Sequence, residues 1–140
     1  MFKSVSSEQT VSLGEKLGLQ LQPGAIVSLT GPLGSGKTTL VKGIARTLKI
    51  KEEITSPSFT LISEYRGSLP LYHMDLYRID SFDEFELTGA EELMYGRGVT
   101  VIEWAEKIGD FLPADTITVV FELKENLERT VTIEGIEGLN

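Results

Sequence analysis

The sequence predicts an α/β fold: one domain over residues 1–140 in which a mixed β-sheet is flanked by helices. Three observations carry that prediction. A chain of 140 residues with 41% hydrophobic content has the size of one domain and enough apolar mass for a core. Between Ala25 and Leu48 an apolar run, a glycine-rich loop and an apolar helical period follow one another. Further on, short apolar segments separated by turn residues read as hairpins, so βαβ units and antiparallel pairs must share a sheet.

The elements follow in order. Phe2 to Val5 predicts a short strand. Ser6 or Ser7 caps a helix through Val11, Leu13, Leu17 and Leu21, which Pro23-Gly24 ends. Ala25 to Thr30 is a buried strand, and Thr39 to Leu48 a helix with Leu40, Val41, Ile44, Ala45 and Leu48 on one face. Lys49 to Ser58 connects, with a turn at Ser56-Pro57. Thr60 to Tyr65 and Leu71 to Asp75 form a hairpin around Arg66-Gly67-Ser68. Ser81 to Tyr95 holds one or two short helices interrupted at Gly89. Val99 to Glu103 is a buried strand ending in a carboxylate. Thr116 to Leu123 and Thr130 to Ile133 make a terminal hairpin around Glu125-Asn126. No internal repeat, low-complexity segment or interdomain linker interrupts this series.

The loop between the second strand and its helix is the most informative segment. Gly31-Pro32-Leu33-Gly34-Ser35-Gly36-Lys37-Thr38 spells G-x-x-x-x-G-K-[ST], the phosphate-binding P-loop. A triphosphate is a dense cluster of anionic oxygens, and a loop must approach closely for its backbone N–H groups to donate to them. Gly31, Gly34 and Gly36 keep that path clear of side chains. The helix that follows aims its first N–H groups and the positive end of its dipole at the phosphates. Lys37 adds a charge near the β- and γ-phosphates, and the Thr38 hydroxyl suits Mg²⁺. Leu33, Ser35 and Thr39 complete the nucleotide-binding stretch. Strand, glycine loop and helix stand in the order a P-loop NTPase-like fold requires.

Composition narrows the classes. The absence of cysteine removes disulfides, thiol nucleophiles and cysteine metal sites. No apolar run approaches the length of a membrane span and the first residues lack a signal core, so a cytoplasmic protein is expected. The net charge of −8 opposes autonomous binding of DNA or RNA. Lys37, Lys42, Arg46, Lys49 and Lys51 form the densest basic stretch; apart from Lys37, they read as a solvated helix face. Asp80 to Glu92 carries six acids and no base, either a solvated face or a docking surface for a basic partner.

A P-loop ATPase needs a carboxylate near the metal, at the end of an apolar strand. Asp75 and Glu103 both qualify. One is expected to hold Mg²⁺ and the other to orient or deprotonate the attacking water, and the residue pattern leaves the assignment open. Thr55-Ser56-Pro57-Ser58-Phe59-Thr60 is either a hydroxyl-bearing loop that senses the γ-phosphate or a plain X-Pro turn. His73, the only histidine, reads by default as a satisfied core residue. Trp104 either packs or lines the site, and Arg78, Arg97 and Arg129 are unranked candidate phosphate contacts. The guanine-reading N-K-x-D motif and D-x-x-G are absent, which argues for ATP over GTP. A small-molecule kinase is the competing class, with Asp75 as base; no arginine cluster supplies its lid.

Four ordered blocks resemble a known family. They are Gly31 to Thr39, Ser56-Pro57-Ser58-Phe59-Thr60-Leu61, His73-Met74-Asp75-Leu76-Tyr77-Arg78 and Val101-Ile102-Glu103-Trp104. Together they resemble the bacterial TsaE family over nearly the whole chain. The H-x-D-L-Y-R and I-E-W blocks, in this order and spacing, are the specific ones. The resemblance implies an ATPase needed for threonylcarbamoyl modification of tRNA adenosine beside the anticodon. Its implied partners are the two sugar-kinase-fold subunits of the modifying complex, which would hold the tRNA. It also implies that Thr38 and Glu103 meet Mg²⁺, that Asp75 serves hydrolysis, and that Thr10 and Arg129 contact nucleotide from the two ends of the chain. Ser58 stands where the family usually has threonine, Pro32 lacks the N–H of the usual loop residue, and Met74 replaces an aromatic.

Overall fold

The computed structural model describes residues 2–32, 34–57, 61–126 and 128–136. These build one seven-stranded mixed sheet with helices on both faces. The strands are β1 (Phe2–Ser4), β2 (Ile26–Thr30), β3 (Ile62–Tyr65), β4 (Leu71–Asp75), β5 (Val99–Glu103), β6 (Ile117–Leu123) and β7 (Arg129–Glu134). Their order is β1-β7-β6-β2-β5-β4-β3. The inner four, β6-β2-β5-β4, run parallel, and antiparallel neighbours close both sides. Parallel strands are covered on both faces, which is why β5 is buried at every position despite its plain Val-Thr-Val-Ile-Glu run.

The pleat divides the apolar residues between two cores. Val27, Leu29, Val99 and Val101 pack with Leu13, Leu17, Leu40 and Ile44 of helices α1 (Ser7–Gly18) and α2 (Lys37–Thr47). Ile26, Met74 and Ile102 point to the other face. There they meet Phe85 of α3 (Phe82–Leu87), Met94 of α4 (Ala90–Met94), and Ala105 and Ile108 of a 3₁₀ segment, Ala105–Phe111.

Local chemistry sets the helix ends. Ser6 accepts from Gln9 N–H, and the Gln9 side chain accepts from Val5 N–H. Ser81 and Glu84 repeat the arrangement at α3, with Glu84 accepting from Asp80 N–H. Both follow the S-x-x-E/Q capping pattern, with the returning side chain reaching the N–H of the residue before the serine rather than the serine's own. Helix α1 stops at Gly18, short of the predicted Leu21. There it lies so close to α2 that a Cβ on Gly18 would meet the Thr47 hydroxyl at 2.1 Å, and Leu21 reaches the core from the turn that follows. Helix α2 starts two residues before the predicted Thr39, because Gly36, at φ 106°, bends the chain directly into it. Gly89 separates α3 from α4 at φ 74°. Strand β3 begins at Ile62; Leu61 turns the chain at φ 65°, and Thr60 lies outside the described residues.

Helices α1 and α2 meet backbone to backbone. A Cβ on Gly14 would sit 2.2 Å from the Leu40 carbonyl, and one on Gly43 2.1 Å from the Val11 carbonyl. Among the described residues no helix is long and apolar enough to cross a membrane.

Candidate functional site

Topology brings the predicted residues to one edge of the sheet. Strands β2, β5 and β4 are parallel neighbours, so the P-loop after β2 and the carboxylates ending β5 and β4 emerge side by side. Such C-terminal strand edges are where open α/β sheets place ligands. A cavity of about 480 Å³ lies there. Gly34, Gly36, Lys37, Thr38 and Thr39 of the P-loop and α2 line it together with Asp75, Tyr77, Arg78, Glu103 and Trp104 from the ends of β4 and β5, and Ser56 and Arg129 complete the lining.

The loop conformation follows from its glycines. Gly31 sits at φ 152° under Phe121, where a Cβ would come within 2.7 Å of the phenylalanine Cβ. Among the described residues no side chain caps the N-terminus of α2. The first-turn N–H groups of a helix have no intrahelical partner, which makes this end a ready anion site. The Ser35 hydroxyl is buried without a hydrogen-bond partner among the described residues. Leu33 lies outside them.

Lys37 is buried and its ammonium is held at three points. It donates to the Gly31 carbonyl at 2.8 Å, lies 3.8 Å from Glu103 Oε1 and stands 4.7 Å over the Trp104 ring. Glu103 Oε2 meets His73 Nε2 at 2.6 Å. The Glu103 carboxylate is thus shared between a lysine and a histidine, all three nearly solvent-free.

Asp75 pairs with Glu103 across the β4–β5 ladder. Its Oδ1 accepts from Tyr77 N–H at 2.9 Å, an Asx turn that fixes the carboxylate as the strand ends. The Asp75 N–H donates to the Leu61 carbonyl, so the end of β4 is tied to the segment entering β3. Trp104 follows Glu103 at φ 61°, a left-handed conformation rare for a bulky residue. That turn swings its indole back over Lys37 and against the Tyr77 ring, whose centroid is 5.0 Å away. Lys107 braces the arrangement by donating to the Tyr77 and Ile79 carbonyls.

Arg129 crosses from β7 to the P-loop. Its Nη2 lies 3.4 Å from the Gly34 carbonyl, and its buried Nε has no partner among the described residues. Thr10 does not line the cavity. Its hydroxyl is buried against Ser4 Oγ at 2.7 Å and the Ser6 carbonyl at 3.3 Å. Ser4 pairs with Arg129 in the β1–β7 ladder, so Thr10 stands behind the arginine rather than in the cleft. Gly31 and Ser35 likewise sit behind the lining residues.

Of the three candidate arginines, Arg78 and Arg129 line the cavity and Arg97 does not. In the Thr55 to Thr60 loop, Ser56 reaches the cavity, while Ser58, Phe59 and Thr60 lie outside the described residues. Lys42, Arg46, Lys49 and Lys51 are exposed, as are all six acids from Asp80 to Glu92 except half-buried Glu91. Two features escaped the sequence reading. Tyr77 had no role there, although its place two residues after a strand-end aspartate marks an Asx turn. His73 is buried as expected, but its bond to Glu103 needs the β4–β5 register to be seen.

The donor set suits a hard cation. Thr38 supplies a hydroxyl, Glu103 and Asp75 carboxylates, with no thiol and no cluster of three acidic or histidine ligands among the described residues. Mg²⁺ is commonly held in this way, by one or two carboxylates together with substrate phosphates.

Comparison with known proteins agrees with the four motif blocks. The family model described as "Threonylcarbamoyl adenosine biosynthesis protein TsaE" matches residues 4–131. The tRNA threonylcarbamoyladenosine biosynthesis protein TsaE of Treponema pallidum is 45% identical over 130 residues, covering 93% of this chain and 96% of that protein. Its namesake in Bacillus subtilis is 39% identical over 136 residues, covering 96% and 85%. The crystal structure of YdiB from Bacillus subtilis superposes with a TM-score of 0.78 at 36% identity, covering 94% of this chain and 82% of that one. With its P-loop, its mixed sheet and a match spanning most of its length, this chain belongs to the TsaE family.

Proposed function

We propose that this chain is a Mg²⁺-dependent ATPase that serves threonylcarbamoyl modification of the tRNA adenosine beside the anticodon, together with the two sugar-kinase-fold subunits of the modifying complex. The observation that carries the reading is the convergence of Lys37, Thr38, Asp75 and Glu103 on one cleft beside a helix N-terminus that no described side chain caps. The names of the relatives supply the tRNA context.

In this reading the P-loop N–H groups and Lys37 bind the phosphates, and Thr38 and Glu103 hold the metal. When bound, Mg²⁺ neutralises charge developing on the phosphate oxygens. Asp75, fixed by Tyr77 N–H, orients the attacking water. Lys37 stabilises the charge that moves onto the leaving phosphates. Arg129 closes the loop side of the cleft. A net charge of −8 fits a cytoplasmic subunit that leaves tRNA to its partners and does not engage DNA. The exposed acids between Asp80 and Glu92 supply a face for a basic partner surface.

The deciding experiment follows ADP and free phosphate with the chain alone and with the partner subunits added. Slow release alone and faster release with partners is expected. Phosphate appearing on a small metabolite would make the chain a kinase instead. Charge reversal at Glu84, Glu86, Glu91 and Glu92 should abolish the stimulation; stimulation unchanged would remove the acidic face from the proposal and leave the ATPase.

A further inference from the structure

The chain's single histidine is completely buried at the centre of β4, on the sheet face that packs against α1 and α2. An imidazole there loses its hydration, and any apolar residue would fill the position at lower cost. What it gains among the described residues is one hydrogen bond: Nε2 lies 2.6 Å from Glu103 Oε2. Register explains the reach. His73 pairs with Val101 and Asp75 with Glu103, so His73 and Glu103 are diagonal neighbours on one face of adjacent strands.

The other Glu103 oxygen, Oε1, faces Lys37 and the cleft. We propose that His73 is a positioning residue: its Nε2–H fixes the Glu103 carboxylate so that Oε1 is the oxygen presented to the cation. That Glu103 meets Mg²⁺ at all rests on the proposed function. Without His73, the carboxylate is free to turn fully toward the Lys37 ammonium, and the two oxygens lose their separate roles. For the His73–Glu103 bond to hold a carboxylate in place, the imidazole is the donor and carries its hydrogen on Nε2. Nδ1 is the ring nitrogen with no partner among the described residues, so a ring hydrogen finds an acceptor at Nε2. Hydrogen bonds of this kind, one step behind a metal ligand, commonly change metal affinity by about 10–100-fold when removed.

The test titrates Mg²⁺ against binding of N-methylanthraniloyl-ADP in the wild type, His73→Leu and His73→Gln. His73→Leu should raise the Mg²⁺ concentration that half-maximally tightens nucleotide by about tenfold or more. Metal-free nucleotide affinity should change much less than the Mg²⁺ midpoint, and His73→Gln, which keeps a donor, should recover most of the Mg²⁺ response. An unshifted Mg²⁺ midpoint in a folded His73→Leu protein overturns the proposal, as does an equal loss of metal-free affinity. A wild type whose affinity ignores Mg²⁺ overturns the proposed function and this inference with it. Ring ¹⁵N shifts of the wild type provide a readout that needs no variant, since one histidine requires no assignment. The Nε2–H tautomer supports the proposal, and the Nδ1–H tautomer overturns it even if His73→Leu fails to fold.

Discussion

Asp75 and Glu103 end adjacent parallel strands at the same rung of the ladder, yet their surroundings differ. Glu103 is locked between His73 and Lys37, while Asp75 is steadied by one backbone N–H of a turn. A carboxylate held by two charged or polar side chains suits fixed coordination. One steadied by a single backbone N–H suits contact with a water that must change position.

The two positions should therefore fail differently. Glu103→Ala is expected to weaken the Mg²⁺ dependence of nucleotide binding. Asp75→Ala is expected to keep binding and lose turnover. Calorimetry with and without Mg²⁺, beside a phosphate-release assay, separates them; the opposite pattern exchanges the roles.

Lys37→Ala should lower hydrolysis by about 10²-fold or more, the usual consequence of removing one preorganised group from a developing anion. The same substitution leaves Glu103 without its ammonium neighbour. Single-turnover phosphate release is the measurement, and a variant that hydrolyses ATP at the wild-type rate would take the P-loop lysine out of the mechanism. ATP should also bind more tightly than GTP to the wild type, a preference calorimetry reads directly.

Trp104 is the only tryptophan and lines the cleft over Lys37. Its emission should change when ATP or ADP binds, and it should transfer energy to an N-methylanthraniloyl nucleotide. Saturating binding by calorimetry with no transfer would put the nucleotide elsewhere.

Gly43→Ala should destabilise the protein by about 1–3 kcal/mol, because the new methyl meets backbone at Val11 and Gly14 and neither helix can yield locally. At roughly 4 °C per kcal/mol for a domain of this size, thermal unfolding resolves the effect. An unchanged midpoint would mean that α1 and α2 separate at little cost.

The strand and helix series was legible because apolar periods and turn residues coincide: Ser6 and Ser81 mark helix starts, and Gly89 marks a break. The P-loop was legible because its chemistry is local. What remained hidden depends on register. Nothing in His73-Met74-Asp75 states that the histidine will reach a glutamate thirty residues on. Trp104 gives no hint of a left-handed backbone, since that conformation is imposed by the turn from β5 into the 3₁₀ segment. The end of α1 was missed for a similar reason: helical spacing continues to Leu21, but close packing on α2 does not.

The Gly14–Gly43 contact has an evolutionary side. A crowded side chain can be accommodated by trimming its neighbour, but here each glycine abuts main chain, which no substitution can trim. Neither position has a compensating partner in sequence space. Relief can come only by shifting a whole helix, and α2 carries Lys37 and Thr38 at its start. Change at the α1–α2 seam is thereby coupled to the geometry of the P-loop end of α2, and constraint on the cleft extends to a buried seam outside its lining.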